Sequence, residues 1–568
     1  MIRLATIEQI RAIEEAADAD GYSYADMMDN AGRAAADRAA IILKDIEKPR
    51  VTVLVGAGNN GGDGLVAGLY IAQDNPDATV RFYLLSERDD EYVKTVEAAG
   101  LSIAKSEDDS DKRVLRNMVA SSDLVIDALF GIGVRLPIKG EAEKILRNVN
   151  REINARRNAK PEKTIINPAD GQQIPSAPSI YVLAIDCPSG MDCDTGETDS
   201  NIIPADETIT FIAAKPGLLR FPATGVTGKL TIADIGISEK LDAVKTVTDS
   251  VVDREWVKDK LPGRGNNGHK GTYGRALVVA GSVNYIGAPA LAAEAAYRSG
   301  AGLVTVASAS PVIMALAGQL REVTWIMLSH DMGVIAEGAT QAVFKEINKM
   351  KSLLIGPGFG TEKTTGEFIE ALLKAPQESA KKPGKRKLGF GIGQIDDDDG
   401  DEKEAIRIPP LVIDADGLNL LAEIDNWWEL LPENTIITPH PGEMARLCDI
   451  ETKEVQSNRW QLAREKAKEW SVILVLKGAY TVIASPKGNF AVLPFDVDTL
   501  ATAGTGDILA GLIVGLLAQG VEAYDAAIIA GYVHGLAGQI LSETSNSRSV
   551  IAGDVLKAIP EALNRIEG

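Results

Sequence analysis

Hydrophobic positions fall into two kinds of pattern along this chain. From Leu4 to about Asp45 they recur at helical spacing, with Ile7, Ile10, Ile13 and Ala17 on one stripe, which predicts helix covering a sheet. Short, unbroken apolar runs follow: VTVLVG (Val51–Gly56), VRFYLL (Val80–Leu85), DLVIDA (Asp123–Ala128) and YVLAID (Tyr181–Asp186), separated by helical stretches. That rhythm predicts a parallel sheet with helices on its faces, since strands buried on both sides lose the polar alternation of a half-exposed sheet. After a weakly patterned stretch from Ser238 to Lys260 a second series begins: RALVVAG (Arg275–Gly281), GLVTVAS (Gly302–Ser308), SLLIGPG (Ser352–Gly358), LVIDADG (Leu411–Gly417), TIITPH (Thr435–His440) and VILVLKG (Val472–Gly478). The expected fold class is α/β, two tandem three-layer αβα domains divided near residue 240, spanning 1–240 and 241–568, with no short internal repeat.

Two segments break the rhythm. Arg151 to Ser179 is polar and punctuated by proline. Lys381 to Pro410 sets KKPGKRK beside DDDDGDE, opposite charge blocks that predict a solvated insertion at about 381–410 rather than a metal site. At 568 residues the chain exceeds what one core usually supports. Its 59 basic and 80 acidic residues leave a net charge of −21, which opposes a phosphate backbone, so nucleic acid is not an expected partner. Cys187, Cys193 and Cys448 make neither a disulfide framework nor a paired metal site. The opening residues, MIRLATIEQIRAIEEAADADGYS, lack the apolar core of a signal peptide, and no apolar run reaches the ~18 residues of a membrane span, so a cytoplasmic protein outside the membrane is expected.

The chemistry gathers where strands end. GAGNNGGDGLVAG (Gly56–Gly68) follows a strand and opens a helix, and its first six residues fit the dinucleotide fingerprint Gly-x-Gly-x-x-Gly. A tight turn explains the glycines but leaves Asn59, Asn60 and Asp63 without a role. DALFGIGVRLP (Asp127–Pro137) and AIDCPSGMD (Ala184–Asp192) end two further strands at the same carboxyl edge, where such sheets bind ligands. Asn60, Asp127 and Ser189 are then placed to converge on a cation that prefers oxygen, though each taken singly reads as a cap or turn residue.

In the second series, TAGTGDILAGLIVGL (Thr502–Leu516) puts a small-residue loop at the head of an apolar helix, a place that favours an anion. Asp507 is itself an anion there. It reads either as a helix cap or as a group whose task outweighs repulsion from a bound phosphate. No Gly-x4-Gly-Lys-Ser/Thr loop occurs in the chain.

The ordered set GNNGGDG, DALFGIG and IDCPSGMD resembles the epimerase domain of the NAD(P)H-hydrate repair enzymes over roughly residues 1–235, a Rossmann-like domain. The set HKGTYGRALVVAGS (His269–Ser282), GAPALAAEAAYRSGAGLVTV (Gly287–Val306), GPGFG (Gly356–Gly360), DADGLN (Asp414–Asn419), TPHPGE (Thr438–Glu443), LKGAYT (Leu476–Thr481) and AGTGD (Ala503–Asp507) resembles their ADP- or ATP-dependent dehydratase, which is ribokinase-like, over about Val257 to Ile566. The resemblance implies that K+ is held by Asn60, Asp127 and Ser189. It implies that the hydrated coenzyme, NADHX or NADPHX, is embraced by Asn59, Asn60, Gly61, Gly62 and Asp63 and by Gly131, Ile132, Gly133, Val134, Arg135, Leu136 and Pro137, with Asp186 at the reacting carbon. Ile132 stands where the family commonly has Thr. In the second domain the resemblance implies that Ala288, Gly358, His440 and Asp507 contact the hydrate, and that Lys477, Gly478, Ala479, Tyr480, Thr481 and Gly506 contact the nucleotide. Asp507 would take the hydroxyl proton as the phosphoryl group arrives, and Mg2+ would sit on the phosphates with waters completing its shell.

One phosphorylating site holds only one epimer in attack geometry, so the other would accumulate unless an epimerase in the same chain interconverts the R and S forms. Fusion of the two domains resembles the prokaryotic arrangement, in which ADP is the usual donor, with ATP as the alternative. The expected assembly is a homo-oligomer. Two other readings stand beside this one: a nicotinamide-dependent oxidoreductase built on Gly56–Gly61 and joined to a small-molecule kinase, with a ribose partner near Ser86–Glu87, and a nucleotide-sensing protein whose pockets bind without reacting.

Overall fold

A computed structural model describes residues 1–158, 180–381 and 406–568. The proline-punctuated stretch after 158 and nearly all of the charged insertion lie outside the described residues. The chain divides into two compact units, Ile2–Asp249 and Ser250–Gly568, the second also taking Met1. The sequence boundary near 240 falls short of that division because Val244 and Val247 pack against Ile10 and Ile13 of the first unit.

The first unit is a seven-stranded, wholly parallel sheet in the order Ser102–Lys105, Thr79–Leu84, Arg50–Val55, Leu124–Ala128, Tyr181–Ile185, Glu207–Phe211, Lys229–Ala233. Strand order reverses between Arg50–Val55 and Leu124–Ala128, which opens a crevice at their carboxyl ends. The single helical stretch expected from Leu4 to Asp45 is two helices, Ile7–Ala19 and Tyr24–Leu43. Gly21 turns the chain at φ +96, and the Ser23–Asp26 capping box starts the second helix. Glu207–Phe211 and Lys229–Ala233 were not among the strands expected from the sequence. The first opens on a fully buried Glu207, which disguises it, and Arg38 and Thr231 neutralise and hydrogen-bond that carboxylate.

In the second unit the sheet runs Ser250–Val251, Phe490–Val492, Val482–Ala484, Ile473–Leu476, Ile436–Ile437, Leu411–Ile413, Ser352–Ile355, Arg275–Val279, Leu303–Ala309, Thr324–Leu328. It is parallel except where Val482–Ala484 turns back between its neighbours. Helices Gly287–Arg298, Thr505–Ala518, Ala523–Thr544 and Ala552–Glu567 form one layer over a core of valine, isoleucine, leucine and alanine. Again the order reverses at the centre, between Arg275–Val279 and Ser352–Ile355. Each unit therefore offers one crevice at the carboxyl edge of its sheet. Among the described residues no helix is long and apolar enough to cross a membrane.

Candidate active sites

In the first unit the crevice is a cavity of about 860 Å3. Helix Asn59–Asp74 begins at its floor, so Asn59, Asn60 and Asp63 share the helical face that lines it, while Gly131, Ile132, Gly133 and Val134 form another wall. Gly61 and Gly62 are buried and pack against Gly56, Arg88 and Met28 instead of lining it. Arg135 lines a neighbouring 630 Å3 groove with Arg11 and Asp194, and Leu136 packs into the core beside a cis Leu136–Pro137 bond. Ile132 packs partly into two apolar clusters, so its departure from Thr is absorbed by the core.

Asp186 stands at the end of strand Tyr181–Ile185 with φ +66, a left-handed backbone that a non-glycine residue adopts only under local constraint. Its Oδ1 accepts from Lys215 Nζ at 2.7 Å and Thr210 Oγ1 at 3.2 Å. Lys215 is 1% exposed and also donates to Thr210 Oγ1 and the Phe211 carbonyl. Glu14 and Asp63 line the same cavity and make no hydrogen bond through their carboxyls to any described residue. Burial and the nearby Asp186 push both carboxyls up, Asp63 well above the ordinary range.

Asp127 is fully buried, its two oxygens accepting from Ser189 Oγ at 2.6 Å and Ser189 N at 2.8 Å, and burial raises its carboxyl. Asn60 is 8% exposed, and both its Oδ1 and Nδ2 lack a partner among the described residues. A buried amide left unpaired this way calls for a ligand. The sequence reading missed Lys215, Thr210 and Glu14, because the strand Glu207–Phe211 that carries Thr210 and precedes Lys215 was itself not expected.

The crevice of the second unit gathers around Lys477. Its Nζ donates to Asp414 Oδ1 at 2.7 Å and lies 3.7 Å from Glu443 Oε2. Burial opposes the ammonium charge, but Asp414 and Glu443 outweigh it and hold Lys477 above its ordinary range. Asp414 is 1% exposed, bonded through Oδ1 to Thr438 Oγ1 as well, while its buried Oδ2 has no partner among the described residues. Burial raises the Glu443 carboxyl. Gly506 fits tightly here, since a Cβ on it would lie 3.3 Å from Lys477 Nζ and 3.8 Å from Asp414 Oδ2.

Asp507 is the third residue of helix Thr505–Ala518, whose cap is Gly504 at φ +91 with no side-chain cap bond. The capping role is therefore taken by backbone alone, and the Asp507 carboxylate makes no hydrogen bond to any described residue. Burial and then Asp414 push its carboxyl up to about 7. Ala288 and Gly358 adjoin, because Gly358 at φ +64 has no room for a Cβ, with Tyr285 Cβ 2.8 Å and Ala288 Cβ 2.9 Å away. His440 caps helix Pro441–Cys448, its Nδ1 accepting from Gly442 and Glu443 N–H. Its Nε2 lies 3.4 Å from Glu443 Oε1, on a half-exposed ring, so the cap and a contact with the crevice coexist. Gly478, Ala479, Tyr480 and Thr481 form the loop after Lys477, and Arg459 lies against it. Asp414 and Glu443, within the quoted motifs but not singled out from sequence, complete the cluster.

A family model described as NAD(P)H-hydrate dehydratase matches residues 276–378 and 387–561, and one described as YjeF-related protein N-terminus matches residues 24–217. The chain is 32% identical to the bifunctional NAD(P)H-hydrate repair enzyme Nnr of Moorella thermoacetica over 91% of this chain and 88% of that protein. It is 30% identical to the Coxiella burnetii protein of the same description over 98% of each. Among solved structures it is similar to the ADP/ATP-dependent NAD(P)H-hydrate dehydratase of Bacillus subtilis, co-crystallized with ATP and Mg2+, at 27% identity and a TM-score of 0.44, covering 56% of this chain and 99% of that one.

Proposed function

Because this chain belongs to the bifunctional NAD(P)H-hydrate repair enzymes, we propose that its first unit interconverts the R and S epimers of NADHX and NADPHX and its second dehydrates the S epimer at the expense of ADP or ATP. The observation that carries this reading is Asp507: a carboxyl that caps nothing, is bonded to nothing and is held near neutrality at the head of a glycine loop. Such a group suits proton removal at physiological pH.

Water added to the enamine of a reduced nicotinamide ring puts the hydroxyl on the carbon beside the ring nitrogen. Epimerisation then requires an acid to protonate that hydroxyl, the nitrogen lone pair to expel water, and a base to take a proton as water returns to the other face. Asp63, whose carboxyl burial pushes well above the ordinary range, fits the acid. Asp186, held by Lys215, fits the base. In the second unit Asp507 takes the hydroxyl proton as the hydroxyl oxygen attacks the terminal phosphoryl group, whose bond to the bridging oxygen breaks so that AMP leaves from ADP, or ADP from ATP. Phosphate then leaves with its electron pair, and loss of a neighbouring ring proton restores the double bond.

For K+ the residues that would hold it are Asn60, whose buried Oδ1 lacks a partner among the described residues, and Asp127 and Ser189, which are buried and hydrogen-bonded to each other; oxygen donors of this kind fit that ion. Bound there, it supplies charge compensation for Asp127. Mg2+ fits the second, where the unpartnered Asp414 Oδ2 and Glu443 would hold it against the nucleotide phosphates, whose charge it neutralises. Assembly as a homo-oligomer and a cytoplasmic location belong to the same proposal.

The test is to incubate the protein with mixed NADHX epimers and add ADP or ATP separately. Recovery of the reduced-nicotinamide absorbance from both epimers is expected. Hydride transfer between an alcohol and NAD in place of that recovery would support the oxidoreductase alternative, and binding without turnover the sensing one.

A further inference from the structure

Arg459 belongs to no motif, yet its guanidinium organises the loop on which the nucleotide reading depends. Nη1 donates to the Ala479 carbonyl at 2.8 Å, and Nη2 donates to the carbonyls of Leu476 at 3.2 Å and Lys477 at 3.1 Å. Only glycine is accommodated at 478, where φ is +141 and a Cβ would lie 2.8 Å from Arg459 Nη2. The Gly478 carbonyl accepts from Thr481 Oγ1 at 2.7 Å. With these carbonyls engaged, the N–H groups of Ala479 and Thr481 have no partner among the described residues. Burial lowers the guanidinium to about 10, so it keeps its charge near neutral pH.

Three inward carbonyls, two free amides and a fixed positive charge are what an anion-binding loop needs. We propose that Arg459 is a positioning residue for the phosphate donor: by gathering the carbonyls of residues 476, 477 and 479 it holds the 478–481 loop in the conformation that leaves amides free for the nucleotide's phosphates. The proposal rests on reading the second unit as a nucleotide-dependent dehydratase. Its ligand class is a nucleoside di- or triphosphate, and its effect falls on nucleotide affinity rather than on the proton chemistry of Asp507.

The test uses the full chain. Arg459→Ala is expected to raise KM for ADP or ATP about tenfold or more, the scale of losing charged hydrogen bonds, with a much smaller change in kcat. Epimerisation in the same preparation stays at the wild-type rate. Arg459→Lys keeps the charge but lacks the fork, and restores KM only in part. Millimolar guanidinium ion returns the KM of Arg459→Ala towards wild type, a rescue that a merely architectural role would not give. A wild-type nucleotide KM in Arg459→Ala, or a raised KM that guanidinium leaves untouched, would overturn the proposal. Should the alanine variant not fold, Arg459→Lys decides: a raised KM at near-normal kcat supports it and a wild-type KM overturns it. A wild-type protein indifferent to ADP and ATP would instead defeat the dehydratase reading on which the proposal stands.

Discussion

Glu14, Asp63 and Asp186 share the first crevice with one lysine, Lys215, while Asp414, Glu443 and Asp507 share the second with Lys477. The groups match, but the cation is used differently. Lys215 spends its three donors on Asp186, Thr210 and the Phe211 carbonyl, so nothing of it is left for a ligand and its charge serves to orient one carboxylate. Lys477 stands beside Gly506 at the head of helix Thr505–Ala518, where helix dipole, amides and ammonium all favour an incoming phosphate. On the proposed reading, one crevice is thereby suited to moving protons at the hydroxyl of the hydrated nicotinamide ring without phosphate, and the other to carrying a phosphoryl group. The comparison teaches that a carboxylate cluster acquires its task from where its counter-charge points.

The sharpest way to break this comparison is Asp507→Asn. Dehydration is expected to fall about a thousandfold, the scale of a lost general base, with epimerisation unchanged, as read by absorbance recovery and by proton NMR of the epimers. Unchanged dehydration would remove the base role. Next in size, Lys215→Met is expected to slow epimerisation about a hundredfold through the misplaced Asp186, while dehydration of pure S epimer persists. Equal losses in both activities would mean that Lys215 serves stability rather than orientation.

The pH profiles separate the two crevices further. Asp507 must be ionised to accept a proton, so kcat for dehydration should rise about tenfold per unit up to about pH 7 and then level off. Epimerisation needs Asp63 protonated and should decline on the alkaline side. A flat dehydration profile between pH 5 and 8 would contradict the raised carboxyl. The smallest expected effect is on stability. The folded state holds the Asp507 proton more tightly than the unfolded chain, whose ordinary value is 3.8, so this stabilisation is complete below about pH 4 and is lost as pH rises through 7. Asp507→Asn should therefore melt a few degrees above wild type at pH 8 and match it near pH 4, measured by calorimetry.

Much of this was legible in the chain itself. The strands that stand at the centre of each sheet carry unbroken apolar runs; GNNGGDG and IDCPSGMD follow two of them, AGTGD heads helix Thr505–Ala518, and all three lie at the crevices. Edge and polar-started strands escaped notice. Thr324–Leu328 leaves Met327 exposed at the sheet margin, and Glu207–Phe211 opens on a charge whose partner, Arg38, is far away in sequence. Arg459 and Lys215 were opaque for the same reason, since a lone basic residue reads as a solvated one until the carbonyls or carboxylates around it are known.

The sequence by itself determined the α/β rhythm, the two crevices and the residue types brought to each, because period and spacing are local properties of the chain. Only the tertiary structure decided which carboxyls are pushed above their ordinary range, which cation is locked away and which amides lack a partner among the described residues. Those depend on burial and on partners from distant segments, and desolvation by such neighbours outweighs what any residue would do alone in water.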